Sequence, residues 1–394
     1  MDIVFLTLGY SKDINTRGIY TDLMSSFVKM GHKVTVFRQD ETGDLKTQQS
    51  QTGVTVVPVF TGKVTKTSFI KKGINLLLLE QRFYKAVNDY CKEHIDLLLY
   101  STPPITFCGA IKKLKKKHNC INYLLLKDIF PQNAVDLKMF PKKSPLYTLF
   151  RNKEKKLYKY SDLIGCMSPA NVRYVLVNNP WEKKDKVHVS PNCIVPKKSE
   201  AVKTSQTEHT GLNLIYGGNL GKPQGISFII ECCKVIEKYN DVTFTIIGSG
   251  TEYSKLENAV KEYNLKNTKL LPFMPKPEYV KYMENQDLGM VFLDNSFTIP
   301  NFPSRILDYL DNGLPIFACT DIVSDVRQEI CDEGAGFWSQ SNDIKSFEEI
   351  IQKLISDKSI LSPMKEKACQ LLEKKYNAEM EAKNICKRVS LIRK

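Results

Sequence analysis

Short apolar runs alternate with amphipathic segments along almost all of this 394-residue chain. Such runs, uninterrupted by polar residues, are typical of strands that are buried on both faces, and the segments between them repeat apolar residues at helical spacing. The predicted strands are 3–8, 33–37, 54–59, 97–100, 121–126 and 163–166, then 212–216, 243–247, 268–271, 288–292 and 315–318. Strands that alternate with helices form parallel sheets, so the sequence predicts an α/β protein with doubly wound sheets.

The polar stretch 196–210 interrupts this alternation and is predicted to be an interdomain linker. The chain is also too long for one typical core. We therefore predict two Rossmann-like domains, residues 1–195 and 196–375, and a C-terminal helix at about 376–394 that packs back onto the first. Ligands bind at the carboxyl ends of strands in such folds, so the two domains are expected to face a shared cleft.

The features that report on location favour the cytoplasm. The first ten residues are typical of a β-strand and lack the basic start and long apolar core of a signal peptide. Apolar runs are too short to span a bilayer. Eleven cysteines are scattered without the C-x-x-C spacing of zinc or redox sites, which favours free thiols in a reducing compartment.

The positive charge is concentrated in one quarter of the chain. Residues 61–160 contain 21 Lys and Arg against 7 Asp and Glu, an excess equal to the net charge of +14 of the whole chain. Apolar and aromatic residues lie between the basic clusters, a mixture that suits an anionic membrane surface. No nucleic-acid-binding signature accompanies the charge, so nucleic acid is not an expected partner. Solvated lysine-rich faces remain the alternative.

Residues 303–318 form the most informative motif, a predicted helix start followed by a helix stop and a strand. The unpaired amides at a helix start attract phosphate, and Pro303 and Ser304 lie there with the positive charge of Arg305. Asp308 is one turn further along, where its carboxylate is placed to accept hydrogen bonds from ribose hydroxyls. A phosphate site beside a sugar site predicts a sugar nucleotide, although an ordinary capped helix fits the same residues.

Glycine-rich turns after the strands of the second half are the other donor-site candidates. The segment 217–225 follows a strand and matches neither the dinucleotide fingerprint nor the Walker A motif. Its backbone is expected to approach a diphosphate, with two amide side chains as hydrogen-bond donors; a plain strand–helix turn is the alternative. Phe273 and Met274 are predicted to border the nucleobase, or to form a structural turn. The candidates in the turns are Gly217, Gly218, Asn219, Gly221, Gln224, Gly248 and Gly250.

The first half offers two candidates. Gly18 precedes a predicted helix, where a small residue would let a phosphate approach. Asp128 lies just after a strand and is a candidate catalytic or acceptor-binding carboxylate, with a helix cap as the alternative. Five scattered histidines and the lack of an Asp-x-Asp triplet predict neither a metal nor a cofactor.

Together these motifs resemble glycosyltransferase family 4, and within it the bacterial branch for capsule and O-antigen, which includes N-acetyl-fucosaminyltransferases. The resemblance covers nearly the whole chain. It rests on the Gly18 loop, 101–104, 128–132, 190–192, 217–225 and 303–316. Two positions depart from the family: Asn219 and Gln224 stand where most members have arginine and lysine. Of the family's two glutamates, the first maps onto Pro300 and the second onto Asp308.

The resemblance implies a GT-B fold and a retaining, metal-independent transfer from a nucleotide-diphospho-sugar, with UDP favoured. It also implies an undecaprenyl-linked saccharide as acceptor at the inner face of the plasma membrane. Arg305 and Asp128 are then the expected catalytic residues. A GT-B-type sugar-nucleotide 2-epimerase and a non-catalytic membrane-associated protein remain alternatives.

Overall fold

The computed structural model describes residues 1–62, 69–197 and 211–393, with the side chains of residues 69–77 left out. The chain divides into two compact units: unit 1 is residues 1–195 with 377–394, and unit 2 is residues 196–376. Most of the predicted linker 196–210 lies outside the described residues, as do the side chains of the basic pair Lys71 and Lys72.

Unit 1 is built on one mainly parallel sheet. Its strands are β1 (Asp2–Thr7), β2 (Lys33–Asp40), β3 (Gln48–Gln49), β4 (Thr55–Phe60), β5 (Leu97–Ser101), β6 (Ile121–Leu126), β7 (Leu163–Cys166) and β8 (Val187–Val189). They lie in the order β3-β4-β2-β1-β5-β6-β7-β8, with β3 antiparallel to β4. The helices are α1 (Ile19–Lys29), α2 (Phe69–Tyr90), α3 (Cys108–His118), α4 (Gln132–Asp136), α5 (Pro145–Tyr160) and α6 (Pro169–Asn178).

Unit 2 has an all-parallel sheet. Its strands are β9 (Leu212–Asn219), β10 (Val242–Ser249), β11 (Thr268–Pro272), β12 (Leu288–Phe292), β13 (Ile316–Thr320) and β14 (Gly336–Gln340). They lie in the order β11-β10-β9-β12-β13-β14. The helices are α7 (Ile226–Ile236), α8 (Tyr253–Glu262), α9 (Lys276–Met283), α10 (Arg305–Asp311), α11 (Ile344–Ser356) and α12 (Leu361–Lys375). Every residue of β12 and β13 is buried, as expected for central strands covered on both faces.

The last helix, α13 (Ala378–Ile392), belongs to unit 1, where it packs against α1. Its apolar face is fully buried through Ala382, Ile385 and Val389. A polar contact also fixes it, since the Ser190 hydroxyl donates to Oε1 of Glu381 at 2.6 Å. Burial raises the pKa of Glu381, although the Ser190 hydroxyl and nearby cations partly offset that effect. The helix thus completes the core that the first part of the chain begins.

The predicted class of fold, doubly wound parallel sheets, is confirmed. The predicted strands all form, whereas β3, β8 and β14 were not predicted. Two of these are only two or three residues long, and β14 carries polar residues, so none has a clear buried-strand pattern. All eleven cysteines, which lie in the described ranges, have free thiols.

Among residues 1–62, 69–197 and 211–393, no helix combines the length and the apolar character needed to cross a lipid bilayer.

Candidate functional site

The glycine turns of unit 2 lie side by side because β9 and β10 are parallel neighbours. Gly218 pairs in register with Gly248, and Asn219 with Ser249. A Cβ at Gly248 would overlap the carbonyl oxygen of Gly218, and one at Gly250 would overlap the backbone of Leu220. Glycine is therefore required at both positions for the two turns to pack backbone against backbone.

Hydrogen bonds then fix the shape of the first turn. The Leu220 amide donates to the Ser249 carbonyl at 2.8 Å. Inside the turn, Oε1 of Gln224 accepts from Nδ2 of Asn219 at 2.9 Å and from the Gly221 amide at 3.2 Å. Two predicted ligand contacts, Asn219 and Gln224, thus bond each other and shape the turn.

Arg305, at the start of α10, lies against the first glycine turn. Its guanidinium carbon is 4.3 Å from the centroid of the Tyr216 ring, a cation–π contact. A Cβ at Gly218 would be 3.4 Å from three atoms of the same guanidinium, so the absent side chain makes room for it. Nη1 of Arg305 is buried and has no hydrogen-bond partner among the described residues.

Two tyrosine side chains, Tyr279 and Tyr309, form hydrogen bonds next to the first glycine turn. The Tyr309 hydroxyl donates to the Met290 carbonyl at 3.1 Å and receives the Gly217 amide at 3.3 Å. The Tyr279 hydroxyl lies 3.5 Å from that of Tyr309. Burial raises the pKa of Tyr279, and it raises that of Tyr309 to about 12. Both hydroxyls therefore stay protonated at neutral pH, and that of Tyr309 accepts from the Gly217 amide.

A second unpaired donor lies on the segment that leads into α10. Nδ2 of Asn301 is buried without a hydrogen-bond partner in the part of the chain that the structure describes. A buried donor without a partner costs about 1–3 kcal/mol, and a charged one costs more. Asn301 and Arg305 are four residues apart, and each has an N–H donor without a partner among the residues that the structure describes, so this segment is suited to an oxygen-rich, anionic ligand.

The start of α10 is less open than predicted. The amides of Ile306 and Leu307 donate to the carbonyls of Pro303 at 3.4 Å and Ser304 at 3.1 Å. Asp308, the predicted ribose contact, forms an ion pair with Lys276 of α9, with 2.7 Å between Oδ1 and Nζ. Its carboxylate is still partly exposed. The ribose role stays a prediction, and any ligand there would meet the Asp308–Lys276 pair rather than a lone carboxylate.

Phe273 and Met274 follow β11 at the same edge of the sheet. The Phe273 ring is 70% exposed, while Met274 is half-buried. An exposed aromatic ring beside the glycine turns offers a flat surface on which a base can stack. The nucleobase contact of Phe273 and Met274 stays a prediction.

In unit 1, Gly18 precedes α1 in an extended conformation. Its amide donates to Oδ1 of Asp22 at 3.1 Å, and Oδ2 of the same carboxylate accepts from the Val195 amide at 2.8 Å. Because the Asp22 carboxylate occupies this amide, a phosphate at Gly18 would have to displace it. The phosphate role of Gly18 remains a prediction.

Asp128 lies just beyond β6, on a turn held by Thr102, whose hydroxyl oxygen accepts from the Asp128 amide at 3.1 Å. Both of its carboxylate oxygens accept from Nδ2 of Asn133, at 2.7 and 2.8 Å. Burial raises the pKa of Asp128 to about 6, against the opposing effect of hydrogen bonds from the Ile129 amide and Asn133. A carboxyl group with this pKa exchanges a proton near neutral pH, as general acid–base catalysis requires.

Within the described residues, no group of three or more His, Cys, Asp or Glu side chains is placed to hold a metal ion. His188, for example, is a core residue, since Nε2 lies 2.7 Å from the Tyr123 hydroxyl. Burial lowers its pKa to about 4, so it is neutral at physiological pH.

Unit 2 matches a known protein family. Residues 197–371 match the family model described as glycosyl transferases group 1. The match to glycosyl transferases group 1 covers nearly the whole of unit 2. The glycine turns, Arg305 and Asp308 all lie within the matched residues, and this match supports the prediction of a transferase.

The relatives extend over more of the chain. An uncharacterized glycosyltransferase of Haemophilus influenzae is 24% identical over 212 residues, which are 50% of this chain and 54% of that protein. An uncharacterized glycosyltransferase of Methanocaldococcus jannaschii is 26% identical over 187 residues, which are 45% of this chain and 44% of that protein. The chain thus spans about half the length of the curated relatives that it matches first.

A solved structure resembles the full length of the chain. The sucrose-phosphate synthase of Thermosynechococcus elongatus has a TM-score of 0.77 at 15% identity, covering 100% of this chain and 99% of its own. At this identity the likeness concerns the fold, and it confirms the GT-B fold predicted for the whole chain.

Asp128 gives a pH-dependent stability that is independent of any catalytic role. Its folded pKa of about 6 lies above the ordinary value of 3.8, so the native state keeps a proton that the unfolded chain has released. The stability that this proton gives is complete below about pH 4 and is lost as the pH rises through 6. Relative to the Asp128→Asn variant, we expect the free energy of unfolding to fall by about 3 kcal/mol between pH 4 and 7.

Urea denaturation at several pH values measures this difference. The exposed Asp185, in the same unit, provides the control substitution Asp185→Asn. A wild-type and Asp128→Asn difference that does not change with pH would contradict a raised pKa at Asp128.

Sequence reasoning did not single out the residues that surround Arg305 and Asp128. These are Tyr216, Tyr279, Asn301, Tyr309, Lys276 and Asn133. Asn301 and Tyr309 carried a usable signal, since Asn301 lies just before the 303–318 motif and Tyr309 lies within it. The other four come from distant parts of the chain or from segments without a motif.

Proposed function

We propose that this chain is a retaining, metal-independent glycosyltransferase of family 4, related to the N-acetyl-fucosaminyltransferase branch. Its donor is a nucleotide-diphospho-sugar, with a UDP-sugar favoured, and its acceptor is an undecaprenyl-linked saccharide in bacterial surface polysaccharide synthesis. The group 1 domain supports glycosyl transfer. The choice of UDP draws on a structural neighbour, Anabaena HepE, which was solved in complex with UDP-glucose; its TM-score is 0.69 at 14% identity, covering 99% of each chain.

The observation that carries the proposal is the buried Nη1 of Arg305, which has no hydrogen-bond partner in the described parts of the chain and lies beside the bare backbone of Gly218. A guanidinium that lies flat on an aromatic ring keeps its charge and presents its N–H groups in a fixed plane. Phosphate oxygens are the ligands that such a fork binds best. The distal phosphate of the donor therefore pairs with Arg305 in this proposal, and Asn301 supplies a further donor.

In this proposal, catalysis comes from electrostatic stabilisation of the leaving diphosphate. The bond between the anomeric carbon and the diphosphate oxygen breaks, and the acceptor oxygen forms its bond on the same face. The acceptor proton passes to the leaving phosphate, so no protein nucleophile is needed. Negative charge grows on the diphosphate as the bond breaks, and each donor that meets it lowers the barrier by about 2–4 kcal/mol. Arg305 supplies this without a metal ion.

Unit 1 handles the acceptor in this proposal. Asp128 accepts a hydrogen bond from the acceptor hydroxyl that attacks, which orients that hydroxyl. A pKa of about 6 leaves most of the carboxyl groups ionised at neutral pH and ready for this role. The basic residues within 61–160 hold the protein on the cytoplasmic, inner face of the plasma membrane, where a lipid-linked acceptor is found.

A thermal-shift panel with UDP, GDP, CMP and ADP, in the presence of EDTA, tests the donor half of the proposal. We expect UDP alone to stabilise the protein, by about 2.7 kcal/mol at a hundredfold excess over its Kd. UDP-sugars that stabilise it as well are then incubated with a lipid-linked acceptor, and UDP release is compared with glycosylated product.

Stabilisation by no uridine nucleotide would contradict the donor assignment. Stabilisation that EDTA abolishes would contradict metal independence. Product with the opposite anomeric configuration to the donor would contradict retention.

A further inference from the structure

Three phenylalanine rings form a cluster at the point where the chain leaves β6 and enters α5. The centroid of Phe130 is 4.9 Å from that of Phe150 and 6.3 Å from that of Phe140, and the Phe140 and Phe150 rings are stacked at 6.3 Å. The hydroxyl of Ser144 caps α5 by accepting from the Tyr147 amide at 3.1 Å. Residues 138–149, here called the 138–149 surface, are therefore held on a rigid aromatic base.

Large apolar side chains point outward from this surface. Met139 is 68% exposed, Leu149 is 55% exposed and Leu146 is 44% exposed. Leu146 and Leu149 are three residues apart on α5, so they lie on one face of the helix. Such residues are exposed at a free-energy cost, and several close together mark an interaction site rather than ordinary surface variation.

The charge around these side chains has one sign. Between Asp136 and Glu154 the chain has five basic residues and no acidic one. Lys138, Lys142 and Lys143 are exposed, and none of them is in an ion pair among the described residues. A partner for this surface must therefore accept apolar side chains in its interior and present negative charge around them.

The 138–149 surface lies near the carboxyl end of β6, the end of the strand that Asp128 follows. β6 ends at Leu126, Asp128 follows, and Phe130 anchors the cluster two residues later. Unit 1 has a second basic surface, with Lys155, Lys159 and Lys183 around Trp181. It lies near the amino-terminal ends of β7 and β8. There the Lys155 ammonium lies 4.9 Å from the Trp181 ring and Lys186 pairs with Glu182. The second surface therefore does not carry the candidate acceptor residue.

We propose that the 138–149 surface docks on an anionic lipid bilayer, with Met139, Leu146 and Leu149 inserted at the interface. Lys142 and Lys143 then lie among the lipid phosphates. Apolar insertion and nearby lysines act together at such surfaces. Asp128 would face a substrate that stays in the membrane, so the inference rests on the proposed lipid-linked acceptor and identifies the docking surface for it.

Co-sedimentation of the full-length protein with vesicles of phosphatidylcholine and phosphatidylglycerol tests the inference. We expect the Met139→Ser/Leu149→Ser variant to bind about tenfold more weakly than wild type. We expect Lys142→Gln/Lys143→Gln to weaken binding by a similar factor and to reduce its dependence on phosphatidylglycerol.

Leu391→Ser is the matched control. Leu391 is 64% exposed, close to the value for Met139, but it lies near the amino-terminal ends of the strands. Two residues after it, Nη2 of Arg393 bonds Oδ1 of Asp96 at 2.6 Å, just before β5 begins. This variant should bind vesicles as wild type does.

The inference is overturned if the wild type does not bind the vesicles, or if Leu391→Ser and the Met139→Ser/Leu149→Ser variant lose affinity equally. Loss of binding in the lysine variant alone, with equal loss toward single-stranded DNA, would assign the surface to a polyanion and also overturn it. A UDP thermal shift on the same samples separates the two proposals. If UDP stabilises all variants but none binds vesicles, only the docking surface fails. If vesicle binding follows the expected pattern but UDP has no effect, only the proposed function fails.

Discussion

Substitution of Arg305 by alanine is expected to lower kcat for UDP-sugar turnover by about a hundredfold to a thousandfold. The guanidinium lies on Tyr216 and above Gly218, and its Nη1 has no partner among the described residues. A charge held in this way needs no reorganisation when negative charge develops on the diphosphate, and donors of this kind contribute about 2–4 kcal/mol each. Initial rates at saturating donor and acceptor measure the effect.

Arg327→Ala is a matched control for this substitution. Its guanidinium carbon also lies over an aromatic ring of unit 2, 5.0 Å from the centroid of Trp338. We expect wild-type rates from this variant and an intermediate loss from Arg305→Lys, which keeps the charge but not the planar fork. Equal losses in Arg305→Ala and Arg327→Ala would assign the effect to packing and contradict a catalytic role.

Substitution of Gly248 by alanine is expected to destabilise unit 2 by about 3 kcal/mol or more and to abolish donor binding. The added methyl group would overlap the Gly218 carbonyl oxygen, which belongs to the backbone of the neighbouring strand. Overpacking costs about 1–3 kcal/mol when side chains can move aside, and a backbone atom offers less relief. Any shift that relieves the overlap also moves the turn against which Arg305 packs.

The two tryptophans allow this effect to be located, because Trp181 belongs to unit 1 and Trp338 to unit 2. In a Trp181→Phe background, fluorescence-detected urea unfolding reports on unit 2. Gly9→Ala serves as control, since a Cβ there would make an ordinary contact with the Tyr20 ring at 3.6 Å. An unfolding midpoint for Gly248→Ala equal to that of Gly9→Ala would show that the turns can separate without cost, contrary to this account.

The sequence was sufficient to predict the parallel sheets, because buried strands such as Ile121–Leu126 are continuous apolar runs. It did not predict the short β3 and β8, since two or three residues give no periodicity. Arg305 was identified from its motif, but its contact with Tyr216 was not. The two residues are far apart in sequence, and only the folded chain brings the Arg305 guanidinium onto the Tyr216 ring.

The sequence also did not predict which donors in the turns form hydrogen bonds inside the protein. Asn219 and Gln224 were expected to face a ligand; they also bond each other at 2.9 Å, and their ligand role stays a prediction. The same holds for Gly18, whose amide is taken by Asp22. A sequence shows which donors a turn contains, but the folded backbone decides which of them find partners inside the protein. Asn301 and Arg305 are informative because each keeps a buried donor without a partner within the described ranges.

The return of α13 to unit 1 has a consequence for synthesis. Ribosomes produce residues 378–392 only after all of unit 2, so nascent unit 1 lacks the helix that covers α1. Its apolar surface for Ile385 and Val389 stays uncovered during that interval, and the Ser190 hydroxyl lacks Glu381. The part of the chain that is translated first is therefore the last to be finished, and chaperones have the longest time to bind it.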